Sequence, residues 1–355
     1  MKIRAITVTP GTPGSLRLDD VAEPEMAEGS VLVEALAVGV CGTDREILAG
    51  EHGQSPPGHD RLVLGHESLG RVLKAPPHSG LKAGDLVVGI VRRPDPEPCF
   101  NCAAGEWDMC RNGRYSERGI KGLDGYAREQ FRLEPEYAVR VDAALGELGV
   151  LLEPASILAK AWEHIERIGR RARWKPRKVL VTGAGTIGLL AALMGKQRGL
   201  DVAVLDRVEE GPKPRLVADL DATYHVGNVQ RACDDADIVV EATGAAALVF
   251  EVMRYNSRNG IVCLTGVTSP GRPLEVAAGV IARQLVLEND VVFGSVNANR
   301  RHYEQAAGAL VAADHEWLAQ LITRRLPLER WREAYEPAPG DIKTVLDFAP
   351  LLPRS

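Results

Sequence analysis

The sequence predicts an α/β protein of two domains, an irregular β domain and a doubly wound parallel sheet wrapped by helices. Three observations carry this expectation. At 355 residues the chain is longer than one core comfortably serves. Residues 1–155 are rich in Gly and Pro and in short alternating runs, broken at close intervals by turn residues. From about residue 178, buried-type strand runs alternate with segments of helical spacing, which implies a parallel sheet.

The elements follow in order. Met1–Val8 reads as a first strand, Ser30–Val38 as an alternating strand and Asp85–Val91 as another. Lys178–Thr182 is a buried-type strand, Thr186–Arg198 has helical spacing, and Val202–Leu205 is the next strand. Asp237–Glu241, Gly260–Leu264 and Val291–Val296 continue the series. A last helix near Tyr303–Ala313 and a terminal strand Thr344–Phe348 are expected to return to the first domain. The boundaries are therefore set at 1–155, completed by 298–355, and at 156–297. The basic segment Gly169–Arg177 reads as a solvated connection.

Composition narrows the function classes. Hydrophobic residues at 45% and charged residues at 26% describe an ordinary globular protein. A formal net charge of -5 argues against non-specific nucleic-acid or membrane-surface partners. No apolar stretch approaches the roughly 20 residues needed to span a bilayer, and the first residues are too poor in apolar side chains for a signal peptide. A cytoplasmic location is the expectation. Six cysteines in so long a chain are not a disulfide scaffold. Cys233 and Cys263, in apolar surroundings, are expected in the core.

Gly183-Ala184-Gly185-Thr186-Ile187-Gly188 stands between a strand and a helix. The first glycine permits a tight turn, the second lets backbone approach a pyrophosphate, and the third allows close strand–helix packing. The helix then offers unpaired N–H groups to the phosphates. Asp206 follows at the end of the next strand, where a carboxylate can accept hydrogen bonds from ribose hydroxyls and repel a 2′-phosphate. That favours NAD. Arg207, Lys213 and Arg215 leave NADP open, because a guanidinium can clamp a phosphate.

Cys41, His66, Glu67 and Glu153 supply thiolate, imidazole and carboxylate, the usual ligand types of catalytic zinc. Three of the four would hold the ion while one carboxylate alternates with substrate or water. Asp44 is placed to hold the second nitrogen of His66. Cys99, Cys102 and Cys110 lie within twelve residues of a Pro/Gly-rich loop and suggest a closed structural zinc site. Its fourth ligand is open between Asp95, Glu97 and Asp108, and the loop could equally hold no metal.

At Cys41-Gly42-Thr43-Asp44, Gly65-His66-Glu67 and Glu153-Pro154 the chain resembles the zinc-dependent medium-chain dehydrogenases. Arg92-Arg93-Pro94, Glu117–Gly122 with Gly125-Tyr126, and Gly294-Ser295-Val296-Asn297 resemble the archaeal-type glucose dehydrogenases among them. The resemblance implies a GroES-like catalytic domain and a Rossmann NAD(P)-binding domain, with the active site in the cleft between them. It implies Thr43, Asp44, Glu67 and Glu153 as catalytic residues, and Thr43, Glu117, Glu153 and Asn297 as the sugar site. For the dinucleotide it implies Gly183, Gly185, Thr186, Ile187, Gly188, Asp206, Arg207, Thr243, Thr265, Gly266, Val267, Ser295, Val296 and Asn297. A homodimer or homotetramer is implied too, using the Val291–Val296 edge.

The chain departs from that family in two ways. The first cysteine of the structural loop is absent. Val91, Ile157 and Leu287 stand where some relatives place polar residues, which would weaken hydroxyl recognition. Oxidation of an aldose, most simply glucose, to its lactone is the expected reaction. Another polyol, an amino alcohol or a sugar derivative is the rival substrate. A non-catalytic redox sensor would have no use for the four metal-type ligands together.

Overall fold

The computed structural model describes residues 2–268, 271 and 273–349, so the ends of the first expected domain, Met1 and residues 350–355, lie outside the described residues. The chain divides into two compact units, Met1–Ser156 with Asn297–Ser355, and Ile157–Val296.

The first unit is built on a seven-stranded sheet in which Val31–Val40 is the central strand. Glu67–Lys74 and Lys343–Asp347 flank it, both antiparallel. Val31–Val40 alternates apolar side chains and then becomes wholly buried, as expected of a strand covered on both faces. Two small three-stranded sheets complete the unit, one of them containing Lys2–Val8. The helix expected near Tyr303–Ala313 spans Arg300–Val311, starting three residues earlier because Asn299 and His302 form a reciprocal cap. It is not the last, since His315–Leu321 and Trp331–Tyr335 follow it.

The second unit is a six-stranded parallel sheet. From edge to edge it runs Thr223–Val226, Asp201–Asp206, Lys178–Thr182, Ile238–Glu241, Ile261–Leu264, Val291–Gly294. In chain order that is 3-2-1-4-5-6, the order of doubly wound dinucleotide-binding sheets. Cys233 and Cys263 are fully buried, the first packed among Leu180, Leu205, Val239 and Val252. Burial pushes both thiols up to about 12, so neither is reactive at neutral pH.

Candidate active site

The metal-type ligands sit where strands of the first unit end. Cys41 follows the central strand and caps the helix Gly42–Leu48. Its N–H donates to Asp44 Oδ2 at 2.9 Å, which fixes the thiol's position. Thr43, half-buried, lies in the first turn of the same helix. Gly65 turns the chain at a φ of +89° just before His66, and a side chain there would collide with Ala127 and Val38. His66 Nε2 lies 2.9 Å from Cys41 Sγ. Its Nδ1 faces Asp44 Oδ1 at 3.6 Å, the expected neighbour but too far for a hydrogen bond.

Donor atoms of Cys41, Asp44 and His66 lie within 4.8 Å of one another, and so do those of His66, Glu67 and Glu153. Glu153, in the first turn of the helix Leu152–Gly169, is buried, and burial raises its carboxyl to about 7. Burial likewise raises Asp44. For His66 burial acts downward, but the neighbouring Cys41 and Asp44 outweigh it and hold the imidazole well above its usual value. Such a crowd of acidic and thiol groups around one imidazole is costly without a cation. Two buried atoms, His66 Nδ1 and Asp44 Oδ1, have no hydrogen-bond partner. Soft and hard donors gather in two groups that share His66, a set whose chemistry fits a zinc ion.

Glu67 departs from the expected free ligand. Both its oxygens are held by Lys343 Nζ, at 2.7 and 2.6 Å, in a pair buried on both sides. A Cβ on Gly39 would fall 2.0 Å from Glu67 Oε2, so glycine there makes room for the carboxylate. Lys343 was not foreseen. It stands 276 residues along the chain, and only the pairing of Lys343–Asp347 with Val31–Val40 brings it in.

Glu117 and Asn297 do meet. Asn297, at a φ of +62°, donates its Nδ2 to Glu117 Oε1 at 2.8 Å. Arg92 adds Nε and Nη2 to the same oxygen at 3.0 and 2.9 Å. Three donors therefore fix Oε1, while Oε2 takes no hydrogen bond among the described residues. Arg92 also donates to the Asp108 carbonyl at 3.1 Å and lies 3.7 Å from the Tyr115 ring centroid. The sequence marked Arg92 only as subfamily character, without a role. Val91 is buried beside this group, its carbonyl accepting from Arg118 N–H at 3.0 Å, and Leu287 is 59% exposed on the helix Ala278–Leu287.

The three cysteines of the loop are close together. Cys99, Cys102 and Cys110 offer sulfurs within 4.8 Å, with Cys99 Sγ 3.6 Å from Cys102 Sγ. Hydrogen bonds from the N–H of Arg111 and of Cys102 lower the Cys99 thiol to about 6, and burial raises Cys102 to about 11. Among the described residues no fourth ligand joins them. Asp95 accepts from Asn112 and Arg114, Glu97 pairs with Arg114, and Asp108 accepts from Asn299.

In the second unit the glycine turn has the geometry its sequence implies. Gly183 takes a φ of +88°, and a Cβ on Gly188 would fall 1.7 Å from the Gly183 carbonyl oxygen. Gly185 faces open space and caps the helix Thr186–Gln197 without a side chain, the kind of helix start at which phosphates bind. Asp206 Oδ2 accepts from Ala184 N–H at 2.6 Å and from Lys213 Nζ at 3.0 Å. Burial opposes this carboxylate's charge, yet those bonds hold it below its ordinary value. Arg207 is exposed beside it.

Thr243, Thr265 and Gly266 are drawn together by Glu241, a residue the sequence did not single out. Its carboxylate accepts from Thr182 Oγ1 at 3.2 Å, from Thr243 N–H at 2.8 Å, from Gly244 N–H at 3.1 Å and from the Thr243 hydroxyl. Its carbonyl accepts from Thr265 Oγ1 at 2.8 Å and Gly266 N–H at 3.1 Å. Val267 is exposed and Ser295 buried, and Lys160 Nζ donates to the Val296 carbonyl at 3.0 Å.

A β unit carrying this Cys/His/Glu cluster and a 3-2-1-4-5-6 sheet carrying this glycine turn define the class of zinc-type medium-chain dehydrogenases. Comparison with known proteins narrows it. Residues 27–143 match the alcohol dehydrogenase GroES-like domain, and residues 146–348 match the glucose dehydrogenase C-terminus. The chain is 38% identical to glucose 1-dehydrogenase of Methanocella arvoryzae, over 98% of this chain and 99% of that protein. It is 40% identical to glucose 1-dehydrogenase of Thermoproteus tenax, over 97% and 99%. Its fold matches Haloferax mediterranei glucose dehydrogenase, crystallised with NADP, Zn and gluconolactone, at a TM-score of 0.90 and 35% identity over 98% and 100% of the two chains. The chain belongs to the glucose dehydrogenase family of zinc-dependent medium-chain dehydrogenases.

Proposed function

We propose that this protein is a zinc-dependent glucose 1-dehydrogenase, oxidising glucose at C1 to the lactone with NAD(P)+ as hydride acceptor. The observation that carries the proposal is the 2.9 Å approach of Cys41 Sγ to His66 Nε2, with Glu153 in a second donor group that shares His66. The Haloferax relative bound to NADP, Zn and gluconolactone supports the same chemistry. Residues 1–155 with 298–355 serve as the catalytic domain and 156–297 as the dinucleotide domain.

Cys41, His66 and Glu153 would hold the zinc, with Glu67 kept in reserve by Lys343. Bound there, zinc supplies Lewis acidity that lowers the pKa of the sugar's C1 hydroxyl. Thr43 accepts that proton at its hydroxyl and passes it outward. Glu117, through the oxygen left open by Arg92 and Asn297, accepts a hydrogen bond from a ring hydroxyl and fixes the sugar's orientation. A bound nicotinamide would supply the hydride acceptor at its C4, so that glucose gives lactone, NAD(P)H and a proton. Asp44, 3.6 Å from His66 Nδ1, would orient the imidazole through its charge rather than a hydrogen bond. Gly183, Gly185, Thr186, Ile187 and Gly188 seat the pyrophosphate, and Asp206 with Arg207 the adenosine ribose. Thr243, Thr265, Gly266, Val267, Ser295, Val296 and Asn297 border the nicotinamide.

The buried apolar Val91 beside Glu117 favours a second reading, a related polyol or sugar derivative with fewer hydroxyls to satisfy. Initial rates on a panel of aldoses and polyols with NAD and with NADP test both readings. Glucose should lead the panel and NAD should equal or exceed NADP in kcat/KM. A tenfold preference for NADP would overturn the role given to Asp206.

We place the protein in the cytoplasm, where Cys99, Cys102 and Cys110 stay reduced and can hold a second zinc. A homodimer or homotetramer would pair the edge strand Val291–Gly294, beside which Val286 and Leu287 are exposed. No described helix is long and apolar enough to cross a membrane.

A further inference from the structure

The segment Ser295–Asn297 follows Val291–Gly294, the last strand of the parallel sheet, and separate anchors hold each of its residues. Ser295 N–H donates to the Leu264 carbonyl at 2.9 Å. The Val296 carbonyl accepts from Lys160 Nζ at 3.0 Å. Asn297 gives its Nδ2 to Glu117 Oε1 at 2.8 Å, and its own Oδ1 accepts from Ala298 N–H at 2.8 Å. Asn297 needs such support. Its φ of +62° is a left-handed conformation, which a residue with a side chain keeps only where its surroundings fix it.

Lys160 has no part in the proposed reaction. It lies in the helix Leu152–Gly169, about two turns past Glu153, so the two side chains share a face of that helix. The lysine is 2% exposed. Lysines are almost never buried so fully unless their charge is used, because an ammonium taken out of water is costly. That charge is felt nearby. Burial pushes the Cys263 thiol up, and Lys160 works against the shift. Cys263 precedes Leu264 in the strand Ile261–Leu264, so the lysine acts on the strand end to which Ser295 is bonded.

An apolar side chain could fill the same space. What the ammonium adds is a charge-assisted hydrogen bond to one carbonyl. The Val296 carbonyl and the Asn297 N–H belong to a single rigid peptide plane. Holding that oxygen therefore sets the plane by which the chain enters its left-handed residue.

We propose that Lys160 is a positioning residue for the nicotinamide end of the dinucleotide, on the reading that Ser295, Val296 and Asn297 border the nicotinamide. By holding the Val296 carbonyl it fixes the backbone of that border. Without the ammonium the peptide plane is free to turn, and the nicotinamide loses its fixed wall. The adenosine and pyrophosphate, seated at Asp206 and at Gly183–Gly188, keep theirs.

Calorimetric titration of the full zinc-loaded chain with NADH and with ADP-ribose, which lacks only the nicotinamide, separates the two ends. The native protein should bind NADH more tightly than ADP-ribose. Lys160→Met keeps the bulk and removes the donor, and should weaken NADH about tenfold while ADP-ribose stays within about twofold of native. Lys160→Gln keeps an N–H donor without the charge and should recover part of the loss. If the methionine variant is too unstable to titrate, the glutamine variant decides, by a loss of about threefold or more for NADH alone. Equal losses for the two ligands would mean a general loosening of the unit, and unchanged NADH affinity would mean the Val296 carbonyl needs no lysine. Either result overturns the proposal. Native protein that bound NADH no better than ADP-ribose would overturn it together with the reading of the nicotinamide border.

Discussion

Lys343 Nζ closes on both carboxylate oxygens of Glu67, at 2.7 and 2.6 Å, beside the donor groups that Cys41 and Glu153 each form with His66. The lysine holds Glu67 at a fixed distance from His66, and its own charge partly offsets the acidic groups around it. Burial acts against the Lys343 charge, but Glu67 and Cys41 more than restore it. Removing one partner of such a pair strands the other. Lys343→Met should cost about 3 to 5 kcal/mol of stability in denaturant unfolding. Adding Glu67→Gln to it should recover most of that loss. If the double variant is no more stable than the single, the pair is not the reason Lys343 is buried there.

Arg92 gives the second test. Two of its N–H groups and the Asn297 amide converge on Glu117 Oε1. Arg92→Met releases the carboxylate, and kcat/KM for glucose should fall about 10- to 100-fold, as for loss of hydrogen bonds to a charged group. Dinucleotide affinity should not change. Lysine should restore little, since it lacks the planar fork. Equal losses for sugar and dinucleotide would mean a general unfolding rather than a misplaced Glu117.

Much of this arrangement was readable from residue order, and the reason differs by residue. The glycine turn and its helix are local, so spacing alone fixed their geometry at Gly183 and Gly188. Cys41, His66 and Glu153 were recognisable because few other uses exist for those side chains in those short motifs. Lys343 and Arg92 were not. Lysine and arginine are common, and what marks these two is burial against a carboxylate reached through strand pairing distant in sequence. Glu241 was hidden differently. It ends a strand, where an acidic residue signals nothing until the Thr243 and Gly266 loops close around it.

That closure is testable. Glu241→Ala should raise the KM for the dinucleotide about tenfold, because the Thr243–Gly244 backbone loses its carboxylate anchor, while Thr265 and Gly266 keep the main-chain carbonyl. Glu241→Gln can still accept from the Thr243 N–H and should restore part of the affinity. KM for glucose, measured at saturating dinucleotide, should move little. Should alanine and glutamine behave alike, the carboxylate is not what sets the loops.

Acid stability follows from Glu28. Burial opposes its charge, but Arg128 and Arg118 lower its carboxyl below the ordinary 4.5. A group with a depressed folded value contributes stability that is complete above the unfolded value and is lost as pH falls through the folded one. The melting temperature of the native protein should therefore decline between about pH 5 and pH 3. Glu28→Gln should lower it at neutral pH and flatten that decline. An unchanged acid slope in the variant would remove Glu28 from the explanation.

The most direct measurement is zinc content and glucose turnover in His66→Ala beside the native protein. The account predicts that the variant loses the zinc held by Cys41 and Glu153 and turns over no glucose, while its dinucleotide affinity stays within about twofold of native. A variant that oxidised glucose at the native rate, with or without its metal, would contradict it.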